Sequence, residues 1–195
     1  MKKQRDNYTF LTHAPVHRVI VSMAVPTIIS MLVTSIYGMV DTYYVGQINT
    51  QSTAAVGISF SIMTIIQAIG FFFGHGSGNY ISRMLGAKRT DEAKYMAATG
   101  LVGSVTFGLA VAVVGLAFLS DICIFLGSTE TILPYTERYL GIILVGAPFM
   151  TGAFTLNNQM RFQGNAKYAM YGILSGVVLN VVLAPILIFY FCLGI

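Results

Sequence analysis

The chain has 195 residues, 55% of them hydrophobic and only 9% charged, against about 25% charged in an ordinary globular chain. So few charges cannot cover a soluble fold of this size, and disorder, which needs low hydrophobicity and high charge, is excluded by the same numbers. A polytopic membrane protein is expected, and at about 20 residues per crossing helix plus loops the length admits five or six spans.

Residues 1–18 read as a cytoplasmic tail carrying Lys2, Lys3, Arg5 and Arg18. The first apolar stretch runs over 19–40. It is too long for a signal-peptide core of about 7–15 residues, and no small-residue cleavage site follows it, so it is expected to be retained. It carries Thr27, Ser30, Thr34 and Tyr37, with Asp41 just beyond. At about 100° per residue these five lie within about 40° of one line on a helix. A carboxylate ending a helix would meet the negative end of its dipole. The helix is therefore expected to continue past Asp41 and to turn the acid toward a cavity. There it suits a proton, a Na+ ion or an organic cation; the alternative is that Asp41 marks the helix end at the water. Pro26 cannot donate to the Ser22 carbonyl, so a kink or hinge is expected there.

The second stretch, 53–73, contains Gln67, a polar candidate for a cavity wall, and Gly70. Gly74-His75-Gly76-Ser77-Gly78-Asn79 follows. This run lacks the lysine and the strand-to-helix setting of a phosphate loop, so its glycines point to close helix packing. His75 has no spaced partner for a metal ion. The third stretch spans about 95–119. The segment 120–138 reads as a short interfacial piece or an extension of the third helix. The fourth stretch, 139–156, begins at Tyr139, contains Pro148 and Thr151, and leads into Asn157, Asn158 and Gln159. Those amides line a cavity or meet cytoplasmic water. The fifth, 170–191, places Gly172, Gly176, Asn180 and Ala184 four apart, with Pro185 next. Gly172-x-x-x-Gly176 is expected to admit a neighbouring helix. The Asn180 amide needs a partner, as interhelical glue or as a cavity ligand.

Cys123 and Cys192 fall near the outer face without framework spacing and read as unpaired thiols. No Ser/His/Asp or Cys/His set is visible and no span holds a carboxylate pair, so neither an enzyme nor a bound cofactor is expected. Ten of the eleven Lys and Arg residues fall on one side: the tail cations, then Arg83, Lys88, Arg89 and Lys94, then Arg161 and Lys167. Only Arg138 lies opposite. This places the N-terminus in the cytoplasm and the basic loops against the anionic lipid of the bilayer. With no reading module behind the charges, nucleic acid is not an expected partner.

Pro26, then Val40-Asp41-Thr42 and Val45-Gly46, then Ala54-Ala55-Val56-Gly57 resemble the opening of multidrug and toxic compound extrusion (MATE) transporters. Leu85-Gly86-Ala87-Lys88 with Ala93, Arg161-Phe162-Gln163-Gly164-Asn165, and Leu179-Asn180 with Pro185 extend the likeness over nearly the whole chain. The resemblance implies an all-α bundle, here five spans of an incomplete six-helix N-terminal lobe, in a family of twelve-helix antiporters. These exchange Na+ or H+ for amphipathic, often cationic compounds moving outward, in a bacterial plasma (inner) membrane. It implies that Asp41 is a coupling residue, with Asn180 and Asn157 as cavity partners. Tyr37 and Tyr139 then line the cavity and Pro26 bends the first helix. Ala184 stands where many relatives carry a second aspartate, which leaves one carboxylate in the lobe. The chain ends at 195 without a sixth helix or second lobe, so a missing C-terminal lobe or a second half-transporter copy is an expected partner. Two other readings are a lipid-linked oligosaccharide flippase of the same superfamily, which favours cavity cations that these spans lack, and a non-transport scaffold using its Gly-x-x-x-Gly faces.

Overall fold

In a computed structural model, residues 9–10, 13–47 and 49–185 are described, except for the side chains of Asp41, Ala184 and Pro185. Among the described residues, six helices from Val16 onward follow in order: α1 (Val16–Gly46), α2 (Thr50–Gly86), α3 (Thr90–Ala117), α4 (Leu119–Phe125), α5 (Leu133–Phe162) and α6 (Ala166–Pro185). All but α4 are long and apolar enough to cross a membrane. A helix closes its own backbone hydrogen bonds, which lipid cannot do for it. The helices outrun their apolar stretches. The 37 residues of α2 measure about 55 Å, against about 30 Å of hydrocarbon, so its ends stand in the headgroup region or beyond.

Local chemistry sets the breaks. The Asn49 side chain accepts from the Ser52 backbone N–H at 2.6 Å and caps α2. Asp91 and Glu92 stand in the first turn of α3, where the helix dipole favours acids. Phe118 leaves helical geometry, so the segment after α3 is a separate short helix rather than a continuation of it. Gly127 then adopts φ +101°, which only glycine takes without strain. Pro134 sits in the first turn of α5, where its missing N–H costs nothing.

The helices sort into two groups. α2, α3 and α5 pack on one another along their lengths, whereas α1 packs chiefly on α6 and the pair touches the trio only sparsely. Glycine makes the trio close. A methyl group on Gly70 would lie 2.6 Å from Phe154 Cβ, and one on Gly74 would lie 2.8 Å from Asn158 Cβ. Gly78 sits directly on the Phe162 ring. On α3, a Cβ on Gly100 would meet Ser77 Oγ at 2.6 Å, one on Gly108 would strike Thr151, and one on Gly115 would meet Leu144 at 2.6 Å. Ile66, Ala112 and Ala147 fill the space between these contacts. Toward the opposite end Cys123, Leu140 and Leu144 form a second cluster. Burial there, with a smaller push from Glu137, raises the Cys123 thiol above its ordinary pKa and keeps it unreactive. Cys192 lies outside the described residues.

Among the described residues the packing expected of Gly172 and Gly176 is not found: nothing lies within 4 Å of where a Cβ would stand on either. The motif falls on an exposed flank of α6. The two sets of glycines should therefore respond differently. Gly74→Leu overpacks the seam, at a cost of about 1–3 kcal/mol or more, and is expected to lower the thermal unfolding midpoint in detergent. Gly172→Leu is expected to leave it unchanged.

Candidate functional site

Three hydroxyls of the polar stripe on α1 use their hydrogens locally. Thr27 donates to Met23 O at 2.9 Å, Ser30 to Pro26 O at 2.8 Å and Thr34 to Ser30 O at 2.8 Å. A hydroxyl whose hydrogen is committed to the backbone offers only lone pairs outward. The stripe is thus a row of acceptors, which suits a cation. Such back-bonding also bends helices, and here it clusters around Pro26, where the ladder already lacks a bond. Pro26 and Ser30 are buried, Thr27 and Tyr37 half-buried, and Thr34 exposed. The main neighbour of α1 is α6.

α1 stays helical through Asp41 to Gly46, so the acid stands inside the helix and not at its end. Its side chain lies outside the described residues. Asn180 sits on the neighbouring α6 and is exposed. Gln67 on α2 and Tyr139 on α5 are half-buried. Tyr139 and Asn157 share α5 but stand eighteen residues, about 27 Å, apart along it. They belong to opposite ends of any cavity they line. A separate crevice of about 370 Å³ opens where α1 meets α2, lined by Thr42, Val45, Thr53, Val56, Gly57 and Phe60.

The amides at the end of α5 do three different things. Asn157 Nδ2 donates to Ala169 O on α6 at 3.0 Å, while its Oδ1 accepts from Arg161 Nε at 3.1 Å. Arg161 thereby fixes which way the amide points. Asn158 turns back to Phe154 O of its own helix at 2.8 Å. Gln159 is buried and donates to Ser77 Oγ at 2.9 Å and to Ala97 O at 3.2 Å, joining three helices. It meets neither a cavity nor water. Thr155 and Thr151 continue the row one and two turns away: Thr155 donates to Gly70 O at 3.1 Å and Thr151 to Ser104 O at 3.0 Å. Sequence reasoning did not assign this ladder, although the spacing 151, 155, 159 places all three on one face.

The MatE family model matches residues 26–186. The chain is similar to the multidrug export protein MepA of Staphylococcus aureus (strain MRSA252), at 36% identity over 142 residues, covering 73% of this chain and 32% of that protein. Among solved structures, it resembles a MATE protein in complex with MaD3S, with a TM-score of 0.85, 28% identity, and coverage of 90% of this chain and 40% of that one. A MOP superfamily transporter from Pyrococcus furiosus matches with a TM-score of 0.85 and 28% identity over 90% of this chain and 39% of its own. The chain spans about a third of the length of the curated relatives it matches.

Gln159→Leu removes the three-helix clasp and leaves Ala97 O without that donor. Interhelical hydrogen bonds in membranes are worth about 0.6–1.7 kcal/mol each. A loss of stability of that order is expected in detergent unfolding, with helix content retained by circular dichroism.

Proposed function

Because this chain belongs to the MatE family of multidrug efflux transporters, we propose that it is the N-terminal portion of a cation-coupled antiporter. It crosses the plasma (inner) membrane five times with its N-terminus in the cytoplasm. The observation that carries the reading is the unbroken run of α1 through Asp41, below a row of hydroxyls that present only lone pairs. A carboxylate inside a membrane helix is expensive and marks an ion or substrate path.

In this reading Asp41 alternates between substrate and a proton or Na+ ion, with Asn180 on the adjoining helix as its neutral partner. Tyr37 and Thr34 extend the site along α1. Gln67, Tyr139 and Asn157 contribute to the substrate cavity at different depths. Ala184, one turn beyond Asn180, supplies no second carboxylate, so Asp41 alone carries the coupling charge of this lobe. Uptake of a proton or Na+ from outside cancels the attraction for a cationic, amphipathic substrate. A ligand shifts a conformational equilibrium only by its differential affinity for the two states, and loss of this charge supplies that difference. The bend at Pro26 lets α1 follow. In this reading transport needs the rest of a family member, as further polypeptide or as another copy.

Dye efflux by the full-length transporter is expected to collapse in Asp41→Asn at unchanged expression. Efflux at the wild-type rate in that variant would remove Asp41 from the coupling step.

A further inference from the structure

We propose that the seam between α2 and α5, at their basic ends, carries a separate binding station for an aromatic organic cation. It is built from Phe154, Phe71, His75 and Phe162. This rests on the export reading above and adds a site that Asp41 does not share.

The four rings form an unbroken chain of edge-to-face contacts. Phe154 meets Phe71 at 5.8 Å and 77°, Phe71 meets His75 at 5.5 Å and 82°, and His75 meets Phe162 at 5.6 Å and 84°. Two rings come from each helix, so the chain crosses the seam twice. The glycines of α2 make this crossing. Gly70 admits Phe154 and Gly78 admits Phe162 at distances no side chain would allow. Phe71 and His75 are exposed, while Phe154 and Phe162 are half-buried beneath them. Aromatic faces carry the negative part of the ring quadrupole and attract a cation lying over them.

His75 is pinned in one orientation. Its Nδ1 lies 2.9 Å from Phe71 O, and a carbonyl can only accept, so Nδ1 carries the hydrogen. In the tautomer with hydrogen on Nδ1 alone, Nε2 is the nitrogen left to accept from a donor on the cation. Phe73 and Ser77 meet Gly103 and Gly100 of α3. Phe71 and His75 stand two residues from them, about 200° around the helix, and so face away from α3. Asp91, Glu92 and Lys94 of α3 therefore lie on the opposite flank. From Gln67 to Ser82, α2 has no Lys, Arg, Asp or Glu. On α5 the neighbouring cation in sequence is Arg161, whose Nε donates to Asn157 Oδ1. His75 also follows the apolar stretch, which ends at Phe73, by two residues. In the proposed topology that is near headgroup level, where an amphipathic cation brings an apolar body for the phenylalanines and a charge for the ring faces.

The test is photolabelling of the purified chain in nanodiscs with azidoethidium, with the labelled peptides mapped by mass spectrometry. Labelling is expected within residues 71–80 and 154–165, competed by ethidium. It should persist in Asp41→Asn and in His75→Phe, which keeps the ring, and fall at least tenfold in His75→Arg, which fixes a positive charge at an exposed position. Phe162→Ala should weaken it as well. Competed labelling confined to the surroundings of Asp41 would overturn this station and leave the Asp41 cavity standing. Labelling at the seam that ignores His75→Arg would overturn the cation–aromatic basis. No competed labelling anywhere would count against both sites.

Discussion

Between α2 and α5 the backbones approach so closely that a methyl group on Gly70, Gly74 or Gly78 would collide with Phe154, Asn158 or Phe162. Much of the fold depends on that approach. Lipid offers helices no hydrophobic reason to associate, so close van der Waals contact and interhelical hydrogen bonds must do it. The Thr155 hydroxyl reaches Gly70 O only because no side chain intervenes at Gly70. Gln159 reaches both Ser77 and Ala97 only because Gly100 leaves it room. The aromatic chain through His75 exists for the same reason. Small residues bring the backbones together, polar side chains tie them, and bulky rings are displaced to the edge of the seam.

The α1–α6 pair is built differently. Its serine and threonine hydroxyls bond within their own helices, and among the described residues the pair touches the trio sparsely, the Asn157 amide on Ala169 O being one tie. A motion of the pair against the trio breaks little. A motion within the trio breaks the glycine contacts and the α5 ladder together. The proposed coupling acid and its amide partner both lie on the loosely tied pair, and the proposed inner cation station lies on the tightly packed block. That division gives the proposed export mechanism a moving part and a fixed part without requiring either to unfold.

Much of this was legible in the sequence. Apolar runs of about twenty residues marked all five long helices. The dipole argument at Asp41 gave a helix that continues, as α1 does to Gly46. The glycine runs were harder to read, because the same four-residue spacing at Gly70–Gly74 and at Gly172–Gly176 leads to packing in one case and open space in the other. Spacing gives the face of a helix but not what lies opposite it. The three consecutive amides 157–159 illustrate the same limit. At 100° per residue they must point in different directions, and only the neighbours decide that one ties α6, one turns back on its own helix and one joins α2 to α3. The aromatic station was hidden for a further reason. Phe71 and Phe162 are 91 positions apart, and nothing local to either signals the other.

The division between a fixed trio and a movable pair is most directly tested by electron spin distance measurements in nanodiscs, using labels at exposed sites. One pair, Phe60 and Val113, reports within the trio, and a second, Met39 and Val113, reports from α1 to the trio. The distribution between 60 and 113 is expected to be narrow and the same at acidic and alkaline pH, with and without Na+. The distribution between 39 and 113 is expected to shift when Asp41 is neutralised by proton or Na+, and to stop shifting in Asp41→Asn. A fixed 39–113 distance under all conditions, or a 60–113 distance that moves with it, would contradict the account.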